Sequence, residues 1–223
     1  MDDSIDCLIP TYQELNIEQI KAINNNSFVV KYRKNDTIFR QNMPVSQIVY
    51  IKSGLVKVFK ESGKDKNHII KISPSNNFLG LLSSFCKNQY DYSATALVES
   101  DIVFTDINIF KNVIKENGNY ALQIMKQLSE QGLYILDKLI NLSYKQVPGR
   151  VAGIILFFST EIYASEEFEF PLTRLELADL ISSTKESVSR TLMEFKNDRI
   201  IEIDEKKIHI NSMELINTLS RIG

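Results

Sequence analysis

Two cysteines, Cys7 and Cys86, are all that 223 residues carry. So few exclude a disulfide framework and any four-cysteine zinc or iron–sulfur site, and both are expected as free thiols. Positive charge is not in excess either: 26 Lys and Arg stand against 28 Asp and Glu, for a net charge of −2. That argues against a non-specific nucleic-acid binder, so any such binding must come from a local patch. Long apolar runs are missing. The longest, Ile154 to Phe158, is far short of the ~20 residues that span a bilayer, and the N-terminal Met-Asp-Asp-Ser-Ile-Asp is acidic where a secretory signal would be basic. A cytoplasmic protein with no membrane partner is the expectation.

Catalytic signatures are missing too. Gly63-Lys64 stands alone, because Val58 lies where a phosphate-binding loop needs its first glycine and Asp65 where it needs Ser or Thr. There is no G-x-S-x-G elbow. His68 and His209 sit in strand-like runs without metal-ligand spacing around them. Neither an enzyme nor a metal site is expected. With 43% hydrophobic and 24% charged residues, and no internal repeat or low-complexity segment, the chain belongs to the ordinary globular class.

What is present changes period along the chain. Between about Phe28 and Asp106 come short β-rich runs: Phe28–Tyr32, Gln47–Lys52, Leu55–Lys60, His68–Ile72 and Asp101–Thr105. Turn chemistry separates them at Lys34-Asn-Asp36, Ser53-Gly54, Glu61–Asn67 and Ser73-Pro74. Many short strands at this spacing predict a β-sandwich or jelly roll.

From Ala121 the apolar positions run Ala121, Met125, Leu128, Gly132, Ile135, Leu139, Leu142. Alternating spacings of four and three make a coiled-coil seam, and such a helix wants a partner. A homodimer is therefore expected through Met125, Leu128, Gly132, Ile135, Leu139 and Leu142, with Leu122 and Leu136 as a second flank serving the chain's own β domain. Pro148 and Gly149 should end this helix around Gln146, with a hinge there. A new helix follows with Val151, Ile154, Ile155, Phe158 and Ile162 on one face, then an acidic loop, Ser165-Glu-Glu-Phe-Glu169, closing at Phe170-Pro171.

Thr173-Arg-Leu-Glu176 reads as a capping box opening one helix, and Ser183-Thr-Lys-Glu186 as a second. Two short helices joined this tightly, with small Ala178 between apolar Leu177, Ile181, Val188 and Leu192, make a helix-turn-helix. Ser182 stands where glycine is common in such turns. Ile200–Ile203 and Lys207–Ile210 then form a hairpin, the wing of a winged helix, and Ser212 caps a last helix to about Ser220.

The second helix of such a motif enters the major groove N-terminus first. Arg190 is suited to a two-bonded contact with guanine and Glu186 to cytosine N4, with Glu186 also bracing Arg190 one turn away. Ser189 suits a base or phosphate, and Lys185 a phosphate. Thr184, Ser187 and Thr173, at the two helix starts, complete the DNA-facing set.

A β-rich domain, a heptad helix and a winged helix in this order resemble the CRP/FNR family of bacterial transcription regulators over nearly the whole chain. Gly149-Arg-Val-Ala152, Leu172–Ala178, Thr184–Leu192, Val49–Lys57 and Phe78-Leu-Gly80 carry the resemblance. It implies an α+β protein: a cyclic-nucleotide-binding-like jelly roll at 1–118, a dimerisation helix at 119–146 and a winged helix-turn-helix at 147–223. Double-stranded DNA, a second copy of the chain, RNA polymerase and a small-molecule effector are its implied partners. Glu186, Ser189 and Arg190 are similar to the FNR branch, which implies a TTGA-like half-site.

The implied effector pocket comprises Phe78, Leu79, Gly80, Leu81, Tyr92 and Ser93. In cyclic-AMP-binding members a glutamate follows Phe-x-Gly and an Arg-Ser pair holds the phosphate; here Leu81 and Tyr92-Ser93 stand in those places. A phosphate without that arginine would be buried unpaired, so cyclic AMP is not expected to bind. Two cysteines likewise rule out the oxygen-sensing cluster of the FNR branch, and His68 reads as an exposed strand residue rather than a haem ligand. The competing reading is a small-molecule-binding or protein-interaction module whose winged helix contacts protein, since Glu194, Asp198, Asp204 and Glu205 dilute the local positive charge. Salt dependence separates the two.

Overall fold

The computed structural model describes residues 14–63 and 67–223. Cys7 and Lys64-Asp65 lie outside the described residues; Cys86 is a free, exposed thiol. The chain divides into two compact units, Met1–Leu133 and Tyr134–Gly223.

The first unit is a roll of two four-stranded antiparallel sheets. One contains β1 (Ser27–Tyr32), β3 (Gln47–Ser53), β6 (Asn77–Leu79) and β8 (Ser100–Asp106) in the order β1-β8-β3-β6. The other contains β2 (Thr37–Phe39), β4 (Leu55–Glu61), β5 (Asn67–Pro74) and β7 (Ser93–Ala96) in the order β2-β7-β4-β5. All five β-rich runs of the sequence are strands. His68, on β5, is exposed as expected.

The first sheet is buried on both faces, because successive side chains alternate across it. Val49, Ile51, Ile102 and Phe104 enter the core between the sheets with Val56, Val58 and Ala94. Ile48, Tyr50 and Val103 enter a second core, against Ile23 of α1 (Ile17–Asn25), Phe110 and Val113 of α3 (Ile107–Glu116) and Tyr120 and Ile124 of α4 (Gly118–Tyr144). Asp106 starts α3 by accepting from the Asn108 and Ile109 amides at 2.8 and 3.1 Å. Gly54 carries the chain from one sheet to the other at φ +99°; a Cβ there would lie 2.1 Å from Ser100 Oγ. Only glycine fits such a turn.

The second unit contains α5 (Val147–Phe157), a π-helical segment (Phe158–Tyr163), α6 (Arg174–Leu180), α7 (Lys185–Asn197) and α8 (Met213–Ile222). A three-stranded sheet joins them, in the order β10 (Ile201–Asp204), β11 (Lys207–Ile210), β9 (Glu167–Glu169). The long helix stops before Gln146, as its sequence requires. Pro148, however, sits in the first turn of α5, where its missing N–H costs nothing. Gly149 does not loosen the chain: it is buried in α5, where a Cβ would meet Gly223 O at 2.3 Å.

The expected acidic loop is corrected to strand β9. Phe168 and Phe170 are buried among Phe158 and Tyr163, with Phe158 and Phe170 rings 4.9 Å apart, while Glu167 and Glu169 face solvent. That alternation is a strand's period, and Phe168 pairs with Ile208 of β11.

Candidate nucleic-acid interface

α6 opens with the capping box read in the sequence. Thr173 Oγ1 accepts from the Glu176 amide at 3.2 Å, and the Glu176 carboxylate accepts from the Thr173 amide at 2.8 Å. α7 is capped one residue later than expected. Its N-cap is Thr184, whose hydroxyl accepts from the Ser187 amide at 3.2 Å, so the box assigned to Ser183 and Glu186 does not form. A threonine at this cap leaves the Glu186 side chain outside the capping geometry and exposed. Between the helices Ser182 adopts φ +52°, the left-handed conformation for which glycine is favoured.

Arg150, quoted in the motif but given no role, holds this turn. Its guanidinium donates to Ile181 O at 2.7 Å and to Ser182 O at 3.4 Å, satisfying carbonyls at the end of α6. Leu177, Ala178, Ile181, Val188, Leu192 and Phe195 are all buried. The apolar half of α7 is thereby fixed, and its other half is presented outward.

Lys185, Glu186, Ser189 and Arg190 are all exposed on that half; Ser187 is partly buried, and Thr184 is committed to its cap. No ion pair joins Glu186 to Arg190 in the free chain, contrary to the expected brace. Both groups are exposed, where an i,i+4 pair contributes little. Beside Ser189 lies a cleft of about 190 Å³ that the sequence did not reveal, lined by Arg174, Leu192, Met193, Lys196 and Ile203. Lys196 Nζ donates to Ile203 O at 3.0 Å, fastening the wing to α7. Lys207 of β11 pairs with Glu167 of β9 across the same sheet.

On α4, Leu128 packs against the helical core of the first unit, whereas Met125, Gly132 and Leu139 are exposed and Ile135 and Leu142 half-buried. Leu122 and Leu136 do not serve the β domain: they are 62% and 56% exposed, with Leu133 at 61% and Ile140 at 53%. The helix turns this side outward because Tyr120, Ile124 and Leu128 already face the sheet.

Of the six pocket residues, the fold joins Gly80 to Tyr92 and divides the three apolar ones between two cores. Phe78 and Leu81 belong to the core beneath the helices, and Leu79 to the core between the sheets. Tyr92 packs against the latter, and its hydroxyl accepts from the Gly80 amide at 3.1 Å. Ser93 donates to Glu61 at 2.7 Å and accepts from the Gln41 amide at 2.8 Å. Tyr90, stacked on Phe39 at 3.9 Å, fills the space over Gly80, where a Cβ would lie 2.7 Å from its ring. Burial pushes the Tyr90 and Tyr92 hydroxyls up to about 12, so both remain neutral phenols.

Two family models match this chain. The cyclic nucleotide-binding domain model matches residues 29–117, and the Crp-like helix-turn-helix domain model matches residues 149–219. The chain belongs to the CRP/FNR family. It is a CRP-like transcriptional regulator with a helix-turn-helix DNA-binding domain. Among its relatives, the CRP-like cAMP-activated global transcriptional regulator of Mycobacterium tuberculosis is 24% identical over 214 residues, covering 94% of this chain and 96% of that one. The anaerobic regulatory protein of Bacillus subtilis is 25% identical over 181 residues, covering 78% and 76%. In fold, this CRP/FNR regulator is similar to FixK2 from Bradyrhizobium japonicum, with a TM-score of 0.79 and 17% identity over 86% of this chain and 96% of that one. Among the described residues, no helix is long and apolar enough to cross a membrane.

Proposed function

We propose that this regulator is a homodimer that reads an inverted repeat of a TTGA-like half-site under the control of a small-molecule effector in its roll. The observation that carries this reading is the outward half of α7. Lys185, Glu186, Ser189 and Arg190 are exposed together at its N-terminal end, and a packed core holds the helix in place. Arg190 suits guanine, Glu186 cytosine and Ser189 a base or phosphate. Lys185 suits a phosphate, as do Arg174 and Lys196 at the adjoining cleft. Thr173, Thr184 and Ser187 hold the two helix starts, where backbone amides also meet phosphate.

The exposed leucines of α4 supply the partner-facing stripe. Leu122, Leu133, Leu136 and Ile140 fall on one side, flanked by Met125, Gly132 and Leu139, and pairing two such stripes buries apolar surface that the single chain leaves in water. Two copies then place their α7 helices about 34 Å apart, one turn of DNA. RNA polymerase is the onward partner, and the domain limits are those of the roll (1–118), the dimer helix (119–146) and the reader (147–223). No catalytic role is assigned.

Cyclic nucleotides are not the effector in this reading. The Gly80 amide is already satisfied by Tyr92, and the Glu61 carboxylate on Ser93 would repel a phosphate. The deciding experiment is selection of DNA from a random pool by the purified protein, with Arg190→Ala alongside. An enriched inverted repeat lost in the variant supports the reading. Absence of enrichment, together with partner binding that salt hardly weakens, would favour a protein-contacting winged helix instead.

A further inference from the structure

β5 turns two polar side chains toward the core between the sheets, neither with a partner among the described residues. Cross-strand neighbours share one face of a sheet, and Val56 and Val58 of β4 belong to the core between the sheets. Their partners on β5 are Ser73 and Lys71. A bulge sets this register: Ile70 is skipped, and Lys71 takes the place opposite Val58 that Ile70 would otherwise hold. Ile70 itself packs against that core, and Lys71 stands beside it, half-buried, on the same inward face.

Ser73 is only 2% exposed, and its hydroxyl has no hydrogen-bond partner among the described residues. Lys71 makes no ion pair or hydrogen bond with them either, and burial alone pulls its ammonium down to about 8. Glu61, the carboxylate of the same hairpin, lies on the opposite face of β4 from Val58 and is engaged by Ser93. At pH 7 such an amine is still about nine-tenths protonated. A desolvated cation next to an unsatisfied hydroxyl is costly to the fold on its own and is what an anion requires.

We propose that Lys71 and Ser73 form an anion-binding subsite in the roll interior, taking the carboxylate or phosphate of a small organic ligand. This rests on the reading that the roll holds an effector. The subsite lies on β5, and the core residues around it, Val56, Val58 and Ala94, are aliphatic. An anionic group with an apolar remainder fits them. Lys71 supplies the charge-assisted bond and Ser73 the hydroxyl.

The test follows thermal unfolding of the full chain with octanoate, inorganic phosphate and neutral 1-octanol, in wild type, Lys71→Met and Ser73→Ala. Octanoate or phosphate should raise the wild-type midpoint saturably, with affinity weakened about tenfold or more in Lys71→Met and to a lesser degree in Ser73→Ala. Octanol should do neither, and whichever anion acts identifies the headgroup. Without ligand, Lys71→Met should melt above wild type. The subsite is refuted if neither anion gives a saturable shift, if Lys71→Met responds as wild type does, or if ligand-free Lys71→Met melts lower, which would mean that the ammonium is already paired. Operator affinity measured in parallel keeps the two readings apart: anion binding that leaves it unchanged retains the subsite and dismisses effector control.

Discussion

Arg190 and Lys185 sit five residues apart on the same exposed half of α7, yet their truncation should give different signatures. Arg190 has no ion-pair partner among the described residues and is exposed, so Arg190→Ala should leave stability within about 0.5 kcal/mol of wild type. Its loss is felt only on DNA. One guanine fork contributes about 1–3 kcal/mol of discrimination. A dimer losing two forks should therefore bind its operator about thirtyfold to twenty-thousandfold more weakly, with scrambled DNA much less affected. Lys185→Ala should weaken both DNAs alike and reduce the slope of log affinity against log salt by roughly 2 per dimer, one phosphate per half-site. Fluorescence anisotropy with labelled operator and scrambled duplexes across a potassium chloride series reads both quantities. If Arg190→Ala lowered the two affinities by the same factor, the assignment of Arg190 to a base would be wrong.

Three further outcomes are expected. Gly54→Ala must accommodate a Cβ 2.1 Å from Ser100 Oγ and 2.7 Å from Glu99 O at φ +99°, and should cost about 2–4 kcal/mol in urea unfolding; an unchanged midpoint would show that the turn reorganises freely. The fall of Lys71 from 10.5 to about 8 means that the folded chain binds fewer protons than the unfolded chain between those values. The destabilisation is full below pH 8 and fades as pH rises to 10.5, so Lys71→Met should gain up to ~3 kcal/mol at pH 7 and almost nothing near pH 10.5. A gain that does not change with pH would contradict this. Replacing Leu122 and Leu136 together by Asp should weaken dimerisation by at least about a hundredfold, because each buried leucine contributes roughly 1.5–3 kcal/mol. Sedimentation velocity at micromolar concentration decides it, and a variant sedimenting as wild type would place the interface elsewhere.

What the sequence made legible follows the strength of its periodic signals. Gln47–Ser53 and Leu55–Glu61 announce strands because β-branched residues fill them, and the helix-turn-helix announces itself through caps and buried apolar spacing. Short β2, β6 and β7 carry three or four residues each, too few for a period to show. β9 reads as a loop because Ser165, Glu166 and Glu167 give its start a loop's polarity; only Phe168 and Phe170 carry the strand's alternation. The α7 cap moved by one residue because Ser183 and Thr184 are both competent caps, and only the turn at Ser182 chooses between them. On α4 the heptad is real, but which side faces outward depends on Tyr120, Ile124 and Leu128 reaching the sheet, a tertiary fact. The inward placement of Lys71 and Ser73 on β5 is hidden for a similar reason, since one bulged residue decides which way Lys71 points.

The 27 residues of α4 form one helix about 40 Å long, and the division between the two compact units falls inside it, between Leu133 and Tyr134. A protease needs several residues of extended chain in its cleft, and a hydrogen-bonded helical ladder withholds them. Digestion between the halves should therefore be limited by how often that turn of helix melts. Its rate would report local opening of the helix, and a ligand or partner that stiffens α4 would reveal itself by keeping the chain whole.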